Sequence, residues 1–143
     1  MALDLTSLEN SILQLKDALF YCRSDLVRRD PRLALHLRAA AIQAFEYTYE
    51  LTHKMLRRYL EMTEPTAAGI DELSFPQLIR LGFERGLLSL EWADWKVLRD
   101  CRNITSHTYD GVKAEAVFAA IPQFVSEAHF LLGQIRRREG DAL

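Results

Sequence analysis

Apolar side chains recur along this chain every three or four residues, and nowhere with a period of two over any length. Its buried surface therefore has to be assembled from helix faces rather than strands. Leu8, Ile12, Leu15, Leu19 and Cys22 trace the first stripe and Leu26 extends it, which predicts a helix over about 6–28 capped by Thr6 or Ser7. Arg28-Arg29-Asp30-Pro31 interrupts that pattern, because the proline disfavours helical geometry at Asp30 yet suits the first turn of a new helix. The longest helix is predicted over about 31–62, with Leu33, Leu37, Ala41, Ala44, Phe45, Thr48, Leu51, Met55, Leu56 and Tyr59 on its apolar face. Its aromatic residues Phe45, Tyr47 and Tyr49 suit a core or interface better than a base-stacking surface. His36 and His53 have no metal-ligand spacing and read as ordinary helix residues.

The stretch over 64–69, Glu-Pro-Thr-Ala-Ala-Gly, reads as a loop. Ser74-Phe75-Pro76-Gln77 then carries a helix-start signal for a short helix ending at Gly86. Leu90-Glu91-Trp92 restarts the chain, and a last helix is predicted over about 112–138 with a stripe from Val117 to Ile135. Pro122 inside it should kink it or weaken one turn. There is no internal repeat. The expected fold is all-α, an up-and-down four-helix bundle with one additional short helix, in a single domain over 1–143.

Eighteen Lys and Arg against twenty Asp and Glu leave a net charge of −2. No overall field favours nucleic acid, so any RNA contact must come from local basic groups. Cys22 and Cys101 lie far apart with no C-x-x-C spacing and read as small buried hydrophobes in a reducing compartment. The first residues lack the basic and apolar runs of a signal peptide, and no stretch approaches the ~18 apolar residues of a membrane span. A cytoplasmic protein without membrane contact is the expectation. Scattered glycines rule out Rossmann and P-loop turns, and no clustered Cys or His suits zinc. No cofactor and no metal site is expected. The Gly-Ser and spaced-aspartate signature of nucleotidyltransferases is missing too, so in a nucleotidyl-transfer system this chain is not the subunit that holds the metals.

The chemistry concentrates after Trp92, Trp95 and Leu98, where eight residues from Arg102 to Tyr109 hold Arg, Asn, Thr, Ser, His, Thr and Tyr. Arg102 offers a planar cationic fork suited to phosphate, and His107 exchanges a proton near neutral pH. Two geometries are open. If the helix continues, Arg102 and Tyr109 share a face, and Arg99, Asn103 and His107 form a second row, with Asp110-Gly111 as the stop. If it frays at Ser106, His107 and Tyr109 sit at its open end. Each residue has a plainer role available: Arg102 as a bridge to Asp100 or a neighbouring helix, His107 as a partner of the helix dipole, and Tyr109 as a packing residue.

The phrase from Arg102 to Tyr109 resembles the R-x4-H-x-Y pattern of the HEPN superfamily, and is most similar to its HepT branch. The early segment Ile42 to Leu51 and Gly86-Leu87-Leu88 with Trp92 fall in the expected order, so the resemblance covers nearly the whole chain. It implies a metal-independent endoribonuclease in which His107 is the acid–base residue, Arg102 the phosphate ligand and Asn103 an orienting group. It further implies a homodimer, or a higher oligomer, that brings two R-x4-H segments to one groove. A minimal nucleotidyltransferase is the implied partner, and it would transfer AMP to Tyr109, making this chain the toxin of a toxin–antitoxin pair. Arg99, Ser106, Glu46, Tyr49 and Glu50 are the further candidates for nucleotide or RNA contact. The same resemblance allows a non-catalytic substrate-binding subunit of a two-component nucleotidyltransferase, and the bare pattern allows a helical oligomerisation module.

Overall fold

Three polar side chains set where the helices around the motif begin. In the computed structural model, which describes residues 2–141, the Asp30 carboxylate accepts from the backbone N–H groups of Arg32 and Leu33 at 3.1 and 3.2 Å. Ser74 and Gln77 form a reciprocal capping box. Asp110 accepts from Val112 and Lys113 N–H at 3.0 and 3.3 Å. Each satisfies donors that a helix start leaves without partners. The elements are α1 (Thr6–Cys22), α2 (Asp25–Arg29), α3 (Pro31–Thr63), α4 (Ala67–Asp71), α5 (Phe75–Glu84), α6 (Trp92–Asn103), a 3₁₀ turn (Thr105–His107) and α7 (Gly111–Asp141). Among the described residues there is no strand.

The expected all-α bundle is present, with α1, α3, α6 and α7 as its long members and α5 as the short extra helix. The central rod is α3, which packs on α1 and on α7, while α6 packs on α7. Three local expectations are corrected. The first helix stops at Cys22, where the Ser24 hydroxyl turns back to the Tyr21 carbonyl at 2.7 Å, and a separate one-turn α2 follows. Neither Thr6 nor Ser7 caps α1: the cap position is Leu5, which offers no side-chain acceptor, and just ahead of it Asp4 accepts from Thr6 N–H at 3.0 Å. The expected loop at 64–69 gives way at Ala67 to the one-turn α4. Helix α7 runs unbroken through Pro122, at the cost of one amide donor to the Phe118 carbonyl. Of the described helices, α7 alone has the length and hydropathy to cross a membrane, and Ile121, Phe124, Ala128, Leu131 and Ile135 of its stripe are buried against the other helices.

Aromatic rings fill the space between α3, α6 and α7. Phe45 meets Phe124 edge to face at 5.1 Å, and Tyr49 lies 5.9 Å from Trp95. Phe45 and Tyr49 are thus core residues, whereas Tyr47 faces outward. Glu127, fully buried on α7, accepts from Ser89 N–H (2.8 Å), Ser89 hydroxyl (2.7 Å), Leu90 N–H (3.0 Å) and Trp95 Nε1–H (2.8 Å). A carboxylate is tolerated in such a place only when donors surround it. Here they tie the loop before α6, and α6 itself, to α7. That loop leaves α5 through Gly86 at φ +73°, a left-handed conformation that favours glycine.

Candidate functional site

Helix α6 ends at Asn103, three residues before the fraying point at Ser106 considered from sequence. The chain then makes the 3₁₀ turn and restarts at Gly111, so Asp110-Gly111 begins α7 instead of stopping α6. Two sequence expectations fall with this break. Arg102 and Tyr109 do not share a helix face, and the row of Arg99, Asn103 and His107 ends at Asn103. The open-end geometry is the one adopted.

Glu46 and Glu50, one turn apart on α3, present their carboxylates together to α6. Arg102 Nε donates to Glu50 Oε1 at 2.8 Å, and its Nη2 lies 3.4 Å from Glu46 Oε1. The plain role of Arg102, a bridge to a neighbouring helix, is therefore real. The Thr105 hydroxyl sits 3.1 Å from Glu46 Oε2 and 2.9 Å from the Arg102 carbonyl, and its single proton serves one or the other. This network pins the start of the turn to α3.

His107 belongs to a different group. Its Nδ1 lies 3.2 Å from the Tyr109 hydroxyl, with the rings edge to face at 5.9 Å. Tyr109 is 84% exposed, which removes the packing role considered for it. Among the described residues no hydrogen bond or ion pair joins Arg102 to His107.

Arg102 instead faces a cleft of about 280 Å³ between α3, α5 and α6, to which Glu50, His53, Phe75, Arg99 and Asn103 also contribute. Tyr49 is its floor rather than a free contact residue: it is buried, and burial, reinforced by the Glu50 charge, pushes its phenol pKa well up. Ser106 is exposed on the turn and is not part of the cleft lining. A larger hollow of about 480 Å³ lies against Leu19, Phe20, Pro122 and Val125, includes no residue of the motif and is mainly apolar in its lining. Among the described residues no group of three His, Cys, Asp or Glu is placed to hold a metal ion.

Sequence reasoning passed over two residues here. His53 lies in the cleft wall with its ring edge against Phe75 at 4.8 Å, and its Nε2 is enclosed without a hydrogen-bond partner. Burial, together with the Arg57 charge, lowers its pKa. The available signal was spacing, since His53 follows Glu50 by three and Tyr49 by four and so shares their helix face. Glu127 was hidden inside an apolar stripe, where a lone carboxylate next to Ala128 was its only mark.

The fold and the site define a helical bundle whose α3 carboxylates grip the arginine of an R-x4-H-x-Y segment, and the comparisons narrow that class. Residues 3–137 match the family model described as nucleotidyltransferase substrate binding protein like, and the chain belongs to that family. It is 39% identical to a Haemophilus influenzae protein named probable ribonuclease HepT, over 92% of this chain and 86% of that protein. A solved H. influenzae structure, described as revealing the fold of a substrate binding domain of a nucleotidyltransferase, superposes with a TM-score of 0.87 at 36% identity and covers 93% of this chain and 99% of its own. A crystal structure from Thermus thermophilus gives a TM-score of 0.67 at 32% identity, covering 90% of this chain and 98% of that one.

Proposed function

We propose that this chain is a HepT-like, metal-independent endoribonuclease, held in check by a partner nucleotidyltransferase that places AMP on Tyr109. The observation that carries the reading is the contact between His107 Nδ1 and the Tyr109 hydroxyl on an exposed turn. Any group esterified to that oxygen must sit against the imidazole.

In the cleavage step a base takes the proton of a ribose 2′-OH as its oxygen attacks the adjacent phosphorus. The bond to the 5′-oxygen breaks, an acid protonates that leaving group, and a cyclic phosphate and a 5′-OH result. His107 serves in this proton transfer, which contributes typically ~10²–10⁴-fold. Arg102 meets the phosphate charge with its planar fork, and Asn103, on the last turn of α6, orients the reacting groups. One chain keeps Arg102 and His107 in separate hydrogen-bond groups. A twofold homodimer that faces two turns across one groove supplies both from two copies. Modification consumes a nucleoside triphosphate: the Tyr109 oxygen attacks the α-phosphorus, pyrophosphate leaves, and AMP adds bulk and negative charge beside His107.

A second reading has an observation in its favour. Arg102 is already held by two carboxylates, and its cleft excludes His107, which suits a subunit that binds an acceptor for a metal-bearing partner. Incubation of the purified chain with RNA in excess chelator decides between them. Fragments ending in a cyclic phosphate, and resistance of the same sequence with a 2′-deoxy sugar at the cut, are expected; intact RNA would leave the binding subunit.

A further inference from the structure

The cleft beside Arg102 carries features that phosphate contact by Arg102 does not use. Arg99 lies one turn earlier on α6, exposed, and among the described residues no carboxylate forms an ion pair with it. Its guanidinium rests over the face of Phe75, 5.6 Å from the ring centre. Such a cation–π contact is weak at an exposed site, so an anion at the mouth can draw Arg99 away and bare the ring. Beside that ring stands His53, whose Nε2 has no partner in the protein. An enclosed polar atom without a partner is uncommon in folded proteins and calls for one. Its burial keeps the ring neutral, and a neutral imidazole offers one donor and one acceptor nitrogen.

An unpaired cation, an aromatic face and a neutral imidazole with spare hydrogen-bonding capacity are the three parts that recognise a phosphate, the flat face of a base and the edge of that base. The volume, about 280 Å³, lies just under the ~300 Å³ at which small-molecule pockets begin, so it suits one nucleoside rather than a length of strand.

We propose that this cleft is a nucleotide subsite for the residue flanking the cleaved phosphodiester. Arg99 leaves Phe75 to hold that nucleotide's phosphate, the base takes the vacated place on the Phe75 ring, and His53 reads the base edge. The inference rests on the ribonuclease reading for its substrate, while the cleft is tested with ligands that cannot be cut.

The four nucleoside 5′-monophosphates, and ribose 5-phosphate as a probe without a base, are titrated into wild type, His53→Ala, His53→Asn, Arg99→Ala and Phe75→Leu by calorimetry. Thermal unfolding of each variant confirms that it folds. Wild type is expected to bind at least one monophosphate roughly tenfold more tightly than ribose 5-phosphate, and to rank the bases. His53→Ala or the smaller change His53→Asn should bring the bases within about twofold of one another and leave ribose 5-phosphate unaffected. Arg99→Ala should weaken all five ligands alike, and Phe75→Leu only the four with a base. Equal binding of ribose 5-phosphate and the monophosphates, or base ranking that survives in folded His53 variants, would overturn the subsite. Fully 2′-O-methylated RNA should reproduce the ranking; a ranking confined to free mononucleotides would overturn its assignment to the strand. Base-indifferent binding by a chain that cleaves RNA removes this inference alone, whereas a base-ranking cleft in a chain that cuts nothing removes the ribonuclease reading alone.

Discussion

Arg102 Nε and Glu50 Oε1 meet at 2.8 Å across the boundary between α6 and α3, so the cation assigned to the phosphate is already paired in the free protein. The Glu50 side chain is 53% exposed, and pairs of this kind are worth about 0.2–1 kcal/mol. Phosphate must compete with that. Glu50→Gln is therefore expected to raise affinity for uncleavable RNA by up to about fivefold with little change in stability. Arg102→Ala should lower the cleavage rate by about 10²–10³-fold. Binding isotherms across a salt series check the first and single-turnover rates the second. An affinity that falls in Glu50→Gln would show the carboxylate working with the arginine instead of against its ligand.

The phenol of Tyr109 is the exposed member of its pair with His107. Tyr109→Phe is expected to keep cleavage within a few-fold of wild type and to lose the AMP adduct. Intact mass after co-expression with a neighbouring minimal nucleotidyltransferase reads the adduct. AMP increments that persist in Tyr109→Phe would reject that acceptor.

Glu127 joins four donors to α7, and its removal leaves the buried Trp95 Nε1–H without an acceptor, together with the partly buried donors of Ser89 and Leu90. An orphaned buried donor costs about 1–3 kcal/mol, so Glu127→Ala should destabilise by about that much, the solvent-reachable donors of Ser89 adding little. Trp95→Phe, which deletes one of the four bonds and preserves most of the ring, should cost less. Urea unfolding midpoints measure both, and a Glu127→Ala midpoint equal to that of wild type would remove the carboxylate from its anchoring role.

These three sites differ in how far they could be read in advance. Stripes such as Ile121, Phe124, Ala128 and Leu131 on α7 made the bundle legible, because burial of one helix face imposes a spacing that survives in sequence. Asp30 and Ser74 announced helix starts by local chemistry that needs no tertiary contact. The grip of Glu46 and Glu50 on Arg102 joins distant parts of the chain, 52 positions apart for Glu50, and periodicity carries no register between helices. That the helix could break before His107 was legible, but its end at Asn103 rather than Ser106 was hidden, since Ile104-Thr105-Ser106 contains neither glycine nor proline; Thr105, pinned by Glu46, supplies the physical reason for the turn. His53 and Glu127 look like ordinary members of their helices until neighbours are placed around them.

The depressed pKa of His53 has a consequence for stability. The group titrates near pH 6.5 in an unfolded chain and lower in the fold. Protons therefore prefer the unfolded state, and the stability linked to this residue is full above about pH 7 and is lost as pH falls through the window below 6.5. Burial and Arg57 depress the value and Glu50 opposes them. His53→Asn should flatten the difference between unfolding free energies at pH 7 and pH 5 relative to wild type. An unchanged difference would mean that the ring is already hydrated and charged in the fold.

The rate at which a defined RNA is cut in excess chelator, compared between wild type and folded His107→Ala, bears most directly on the R-x4-H turn as a catalytic centre. A fall of about 10²–10⁴-fold is expected, with a cyclic phosphate as the wild-type product. Equal rates for the two proteins would contradict a catalytic role for His107.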